Sequence, residues 1–488
     1  MEPISPDIKR GYDPLYFSTN IEKIVKMLTD HLAQSLEGSH KVLVQKEIEE
    51  VAQELNFSEV IKNGDADIQQ LVKVILANSN RLHHPLYMGH QVAVPMVGAA
   101  FADLINGATN NSMPVYEMGP AASAIERKVV EWALSKLNWD KTGAGVMTHG
   151  GSMANLTCML AARAHALPNA WKQGVSPNVV IMVPQSSHYS LSRAAAIMGL
   201  GTEGVAAVPV DEFFRIRTKE LTATYDALVA DGKKVIAVVA NSCATATGMF
   251  DDLTTIGQFC RDRDIWFHVD GAHGAPALIT EKYRHLLAGC EFADSVTWDT
   301  HKMMATSSLC GMALFRSKSS MLKTFSQDAT YIFNQFDKPG EDISVNTLEC
   351  TKSMMSLKLF FNLAVVGETG LAKHIEALFD HARIFSEQIS RRPGFSVLCA
   401  PDANIICFRY GENCALQDSI RQRLVREGDF YITRATIHGK SYLRLSIMNV
   451  FTTEKHIDVL CDRIIELSSA TNLTFPQISF TAQEQKLR

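Results

Sequence analysis

Ile265-Trp-Phe-His-Val-Asp270, followed by Gly271-Ala272-His273-Gly274, is a short apolar run that stops at a carboxylate and passes into small residues. A run of this kind, too short for a helix and bounded by turn formers, reads as a strand buried on both faces. The pattern recurs in Val179-Val-Ile-Met-Val183, Val235-Ile-Ala-Val-Val-Ala240 and Gly311-Met-Ala-Leu-Phe315, with helical stretches between. Buried strands alternating with helices predict an α/β fold, a mostly parallel sheet with helices on both faces over residues 143–315. A further strand-like run, Ser295-Val-Thr-Trp-Asp-Thr-His301-Lys302, ends by delivering a lysine to a loop.

Outward from this sheet the pattern changes. Ile21, Ile24, Val25, Leu28 and Leu32 share one helical face, and with Gln45 to Leu55 they predict an N-terminal helical layer. Such a layer is too thin to stand alone and should pack on the rest of the chain or on a second subunit. A helix is expected after Pro120 (Ile125, Val129, Trp132, Ala133, Leu137) and a long one near 350–366. Beyond it, helices and the short strands Ile405 to Phe408 and Tyr442 to Ile447 predict a small α+β domain. The expected division is 1–84, 85–365 and 366–488. Segment 325–349 has little apolar periodicity and reads as a loop long enough to serve as a lid.

The 488 residues are 46% hydrophobic and 20% charged with a net charge of −5, an ordinary globular composition with room for more than one core. The modest charge and absence of a basic stripe argue against nucleic-acid binding. The ten cysteines are scattered without a C-x-x-C pair, as expected of reduced thiols in a cytoplasmic protein with no metal site. The N-terminus lacks the pattern of a secretory signal, and the apolar stretch Val92 to Ile105, broken by Pro95 and Asp103, is too short to span a membrane.

The chemistry gathers at strand ends. Thr148-His-Gly-Gly-Ser152-Met-Ala-Asn155 precedes a helical run, and glycines at a helix N-terminus can cradle a phosphate. His188, in Gln185-Ser-Ser-His-Tyr-Ser190, follows one buried strand, where it can stack on a planar group or merely cap the next helix. Thr245 follows another and can bond a ligand or cap a turn. Asp270 closes an apolar strand, which is costly for a carboxylate unless it is exposed or paired. A lone loop lysine is ordinarily a solvated one. Four such elements in order, at the edge where open α/β sheets bind ligands, make Lys302 a candidate Schiff-base lysine and Asp270 a candidate partner for a ring nitrogen, two requirements of a pyridoxal phosphate enzyme.

Residues from about 80 to the C-terminal domain resemble the pyridoxal phosphate-dependent group II amino acid decarboxylases. The resemblance rests on His84-Pro85, Tyr116-Glu-Met-Gly-Pro120, Gly150-Gly-Ser-Met-Ala-Asn155, His188-Tyr-Ser190, Phe267-His-Val-Asp270, Phe292-Ala-Asp-Ser295 and His301-Lys302-Met-Met304. It is closer to the glutamate and cysteine sulfinate branch than to the aromatic one. It implies an aspartate aminotransferase-like fold (fold type I) and a homodimer with the active site at the subunit interface, the N-terminal segment packing on the partner. It further implies pyridoxal 5'-phosphate held covalently by Lys302, with Asp270 on the pyridine nitrogen and His188 on the ring. Gly151, Ser152 and His301 would hold the phosphate, and Ala272 and Thr245 the ring face and edge. Arg444 would meet the substrate α-carboxylate, and Tyr331, on a mobile loop, would return a proton to Cα. His90 stands where the glutamate branch has a glutamine.

Two departures are visible. Asp299-Thr300 replaces the Asn-Pro of many members, so Asp299 must turn from the phosphate or find a basic partner. Asp270-Gly-Ala-His273 replaces the aromatic branch's Asp-Ala-Ala-Tyr. The implied reaction is decarboxylation of a small polar or acidic L-amino acid, such as aspartate, cysteine sulfinate or glutamate. A basic (diaminobutyrate-like) or aromatic substrate, an aldehyde-forming enzyme on the same cofactor, and a catalytically silent binding protein are the competing readings. A Rossmann dehydrogenase is disfavoured because no G-x-G-x-x-G follows a first strand.

Overall fold

The computed structural model describes residues 4–63, 66–139, 141–325 and 342–469. Seven strands form the main sheet: β1 Ala144–Thr148, β2 Val179–Pro184, β3 Val205–Val208, β4 Lys234–Asn241, β5 Trp266–Asp270, β6 Ser295–Asp299 and β7 Gly311–Phe315. Their order is β1-β7-β6-β5-β4-β2-β3. β3, β2, β4, β5 and β6 run parallel, and β7 is antiparallel to both β6 and β1. The expected α/β architecture holds.

Strand side chains alternate between two cores. Val180, Met182, Val238, Phe267 and Trp298 enter one with helices Pro120–Lys136 and Leu253–Arg261. Val179, Ile181, Val239, Trp266 and Phe315 enter the other with helices Gly151–Ala166 and Tyr189–Ile197. Both faces are therefore covered, and this is why the strands read as unbroken apolar runs rather than alternating ones.

A second sheet is antiparallel, in the order β10-β11-β9-β8, from β8 Phe395–Val397, β9 Ile405–Tyr410, β10 Thr433–Ile437 and β11 Lys440–Ser446. Its core includes Phe385, Phe408, Leu443, Leu445 and Ile457. The helix Ser356–Ser390 leads into it and breaks at Gly367, where φ is 67°. Met88 also lies in this core, and its backbone bonds Tyr431 and Ser446 at 2.9 and 2.8 Å. The 86–89 segment is thus fastened to the second sheet and its core, next to His90 and Gln91.

Among the described residues no helix is long and apolar enough to cross a membrane.

Candidate active site

β7 starts at the edge where β1 and β6 end, because it is antiparallel to both. The C-terminal ends of β1, β2, β4, β5 and β6 therefore share one edge of the sheet, and the loops leaving them line a cleft of about 350 Å³. Gly151, Ser152, His188, Thr245, Asp270, Ala272, His301, Lys302 and His90 all face this cleft. Tyr331 and most of the 325–349 segment lie outside the described residues.

Arg444 stands apart. It does not line the cleft and is 6% exposed, on β11 behind the cleft wall. Its Nη2 donates to the Thr245 carbonyl (2.7 Å) and to Gln91 Oε1 (3.2 Å), its Nε donates to the Ala246 carbonyl (3.0 Å), and its Nη1 faces Thr433 Oγ1. Among the described residues no carboxylate pairs with it. Burial lowers its pKa, and the neighbouring Cys407 and Cys243 act the other way. Gln91 does line the cleft and carries the guanidinium's influence to it.

The helix Gly151–Ala166 opens on the cleft with Gly150 as its N-cap at φ 85°. Its first N–H groups have no intrahelical acceptors and carry the positive end of the helix dipole. Approach here is close. A Cβ on Gly151 would fall 2.6 Å from Asp299 Oδ2, and one on Gly311 would press on Asp299 Oδ1, so a side chain at either position would displace that carboxylate. Asp299 does have a basic partner: its Oδ2 lies 3.1 Å from Lys302 Nζ, while its buried Oδ1 has no partner among the described residues. His301 is anchored by Nδ1, 2.7 Å from the Cys310 carbonyl.

His188 both caps and faces the cleft. Its Nδ1 accepts from the Ser190 backbone N–H at 3.3 Å and lies 2.9 Å from the Ser190 hydroxyl. Burial lowers its pKa, opposed by Asp270, so the ring is neutral with its hydrogen on Nε2. Asp270 is 7% exposed and accepts from Asn155 Nδ2 at 3.0 Å and from the Ala272 N–H at 3.2 Å. Sequence reasoning gave no role to Asn155, His149, Asn241, Cys243 or Leu309, which also line the cleft. Asn155 alone carried a signal, an amide within the glycine-rich stretch.

Two buried histidines flank Asp270. Burial pushes His268 down to about 4 and His273 down to about 3. His273 donates from Nε2 to Asn404 Oδ1 at 2.7 Å, since the Asn404 amide nitrogen is committed to the Ile447 carbonyl. In the unfolded chain both imidazoles titrate near 6.5, so below that pH the unfolded state binds protons the folded state refuses. Stability should therefore fall as pH drops from 6.5 toward 4, by about 1.4 kcal/mol per pH unit for each histidine and about 3 for both. Urea unfolding at pH 7 and pH 5 measures this. His273→Gln should lower the slope by that one histidine's share, about 1.4 kcal/mol per pH unit, and an unchanged slope would show that His273 is not buried as a neutral ring.

The pyridoxal-dependent decarboxylase conserved-domain model matches residues 45–411. The chain is 28% identical over 473 residues to the cysteine sulfinic acid decarboxylase of Mus musculus, covering 92% of this chain and 95% of the other. It is 30% identical over 398 residues to the acidic amino acid decarboxylase GADL1 of Xenopus tropicalis, covering 80% and 78%. The crystal structure of mouse CSAD superposes with a TM-score of 0.88 at 26% identity, covering 93% and 99%.

Proposed function

We propose, from the premise that this chain belongs to the pyridoxal-dependent decarboxylase family, that it removes the α-carboxylate of a small amino acid with an acidic side chain. The chain is a pyridoxal phosphate-dependent carboxy-lyase acting on an amino acid; the acidic substrate class and the residue roles are our reading. The observation that carries the substrate class is the polar cleft lining at His90 and Gln91, with Gln91 Oε1 accepting from Arg444 behind the wall. A buried charge is costly until paired, so Arg444 suits the α-carboxylate, which every candidate substrate carries, and leaves the choice of side chain to His90 and Gln91. Among the described residues the cleft lining contains no Phe, Tyr or Trp, which favours a small side chain over an aromatic one. Two of the relatives are named for cysteine sulfinic acid and for acidic amino acids.

The residues present fit the cofactor. An amine (Lys302), a carboxylate (Asp270), a neutral imidazole (His188) and a glycine-opened helix N-terminus meet in one cleft, the donor set that an aldehyde, a pyridinium, an aromatic face and a phosphate each need. Lys302 would hold it covalently, Asp270 would accept from its ring nitrogen, His188 would cover its ring, and Gly151, Ser152 and His301 would take its phosphate, with Thr245 and Ala272 at its edge and face. When bound it supplies a conjugated sink for the electron pair released as carbon dioxide leaves.

The protein does the rest. Asp270 keeps a negative charge where positive charge must persist through bond breaking. Arg444, through Gln91 or directly, orients the α-carboxylate; it must not hold that group tightly, because the reaction discharges it and strong ground-state pairing would raise the barrier. His90 and Gln91 would meet the substrate side chain. Tyr331 would donate the proton to Cα.

We also read the chain as a cytoplasmic homodimer. Its ten cysteines are all unpaired thiols, and Val97, Phe101, Leu104 and Ile105 lie 38–50% exposed along helix Val97–Thr109, with Leu104 near the exposed Phe17 of the N-terminal helix. An apolar patch of this kind fits a second copy of the chain.

A decarboxylation screen across the amino acids, with amine and carbon dioxide both quantified, tests the substrate class. Aspartate, cysteine sulfinate or glutamate should exceed any aromatic or basic amino acid in kcat/KM by at least roughly 10-fold. Preference for a basic or aromatic substrate would overturn the acidic assignment, and aldehyde with ammonia in place of amine would overturn simple decarboxylation. The same preparation should weigh twice the chain mass by mass photometry; a monomer would remove the dimer.

A further inference from the structure

The side-chain amide of Asn155 is 1% exposed beneath the cleft and makes four hydrogen bonds, its whole capacity. Their directions are fixed by chemistry. The Asp270 carboxylate can only accept, so the Asn155 NH₂ must face it, at 3.0 Å. The second amide hydrogen goes to Ser190 Oγ at 2.9 Å. Asn155 Oδ1 must then accept, from the Thr297 hydroxyl at 2.7 Å and from His268 Nε2 at 3.1 Å. With its hydrogen on Nε2, His268 presents a bare Nδ1, which takes the Ser295 hydroxyl at 2.8 Å. Ser295 Oγ in turn accepts from the Trp266 indole at 2.9 Å.

Every donor in this chain, from Trp266 through Ser295, His268 and Asn155, points toward Asp270. Its members are buried, His268, Ser295 and Thr297 completely. Aligned hydrogen bonds in a low-dielectric interior polarise one another, so the last N–H toward the carboxylate is strengthened by those behind it. The other arm runs from Asn155 to Ser190, whose hydroxyl is thereby turned toward His188 Nδ1 at 2.9 Å.

We propose that Asn155 is a positioning residue for the cofactor site, one amide that aims the Asp270 carboxylate into the cleft and, through the Ser190 hydroxyl, adds a second donor to His188 Nδ1 beside the Ser190 backbone N–H. Neither residue reaches the other directly; the amide couples them. Removing it leaves one Asp270 oxygen buried without its donor and releases the Ser190 hydroxyl, so the carboxylate turns or draws in water. The proposal rests on the reading that Asp270 and His188 face the cofactor.

The test uses the full-length chain stripped of cofactor and titrated with pyridoxal phosphate, alongside the pH dependence of the bound cofactor's visible absorbance. Asn155→Ala and Asn155→Asp should weaken binding roughly 10- to 100-fold and displace the absorbance pH profile, since a hydrogen bond to a charged group is lost. His268→Phe, which removes only the donor behind the amide, should displace the profile in the same direction by less. Thr157→Val removes a buried hydroxyl of the same helix that bonds only the Met153 carbonyl, and should change neither reading. Wild-type affinity and profile in Asn155→Ala would overturn the proposal. So would equal weakening in Thr157→Val with lowered thermal melts in all variants, which would reduce Asn155 to a packing residue. If the unaltered chain fails to bind pyridoxal phosphate, the cofactor-site roles fall first, and the two failures are told apart.

Discussion

Lys302→Ala is expected to yield a folded chain without the visible absorbance of lysine-bound pyridoxal phosphate and without measurable decarboxylation. Lys302 follows β6 directly, and its Nζ reaches the cleft in contact with Asp299 Oδ2 at 3.1 Å. An amine tethered there reacts at an effective molarity of about 10⁵ M or more, so turnover should fall at least about 10³-fold. Folding should survive. The Lys302 side chain is partly exposed, and among the described residues its ion-pair partner is Asp299. Losing the ammonium leaves that carboxylate buried and unpaired, so a melt lowered by a few degrees is expected. Retained visible absorbance would show that another lysine holds the cofactor. Lys352, by contrast, is buried and committed to Glu126 and the Met147 carbonyl, which leaves it poorly placed to react.

How much of this was legible in the sequence depends on the range of the interactions involved. β2, β4, β5 and β7 announce themselves because burial on both faces demands apolar residues at every position. β1, Ala-Gly-Val-Met-Thr, carries no such signal; its glycine is required by the close approach of β7 and weakens any propensity argument. β3 is a four-residue edge strand only partly buried, where the demand for apolar residues is weakest. The pairing of residues 86–89 with Tyr431 and Ser446 spans most of the chain and leaves no local trace.

The site divides in the same way. Asp270 and Lys302 were visible because a charged residue ending an apolar strand is locally anomalous. The role of Asn155 has no local signature, because its four partners come from β5, β6 and helix Tyr189–Ile197. His268 sat in plain view within an apolar strand, yet its partners are visible only once β5 and β6 are paired. Of the two alternatives the sequence leaves Asp299, turning from the phosphate or finding a basic partner, the structure shows the second, with the lysine three residues on.

Asp270→Asn carries the second large effect. The substitution preserves shape and volume and removes one thing, an acceptor bearing full negative charge at the end of β5. Asn155 Nδ2–H and the Ala272 N–H both donate to this group, so an amide there must turn its oxygen toward one donor and set its NH₂ against the other or against the cleft. In neither orientation can it offer the full negative charge that holds a ring nitrogen protonated. Removal of one preorganised electrostatic partner costs roughly 10²–10³ in kcat, and the loss should appear in kcat more than in KM, because the charge matters most as the carbon–carbon bond breaks. Stability should move the other way or not at all. A buried carboxylate in the cofactor-free chain is costly, and a neutral amide of the same size is cheaper to bury. The cofactor-free variant should therefore melt at or above the wild-type temperature while the loaded variant turns over slowly. That opposition separates a functional carboxylate from a structural one. Wild-type kcat in Asp270→Asn would remove the pyridinium partner from the mechanism, and a melt lowered in step with kcat would assign Asp270 to the fold instead.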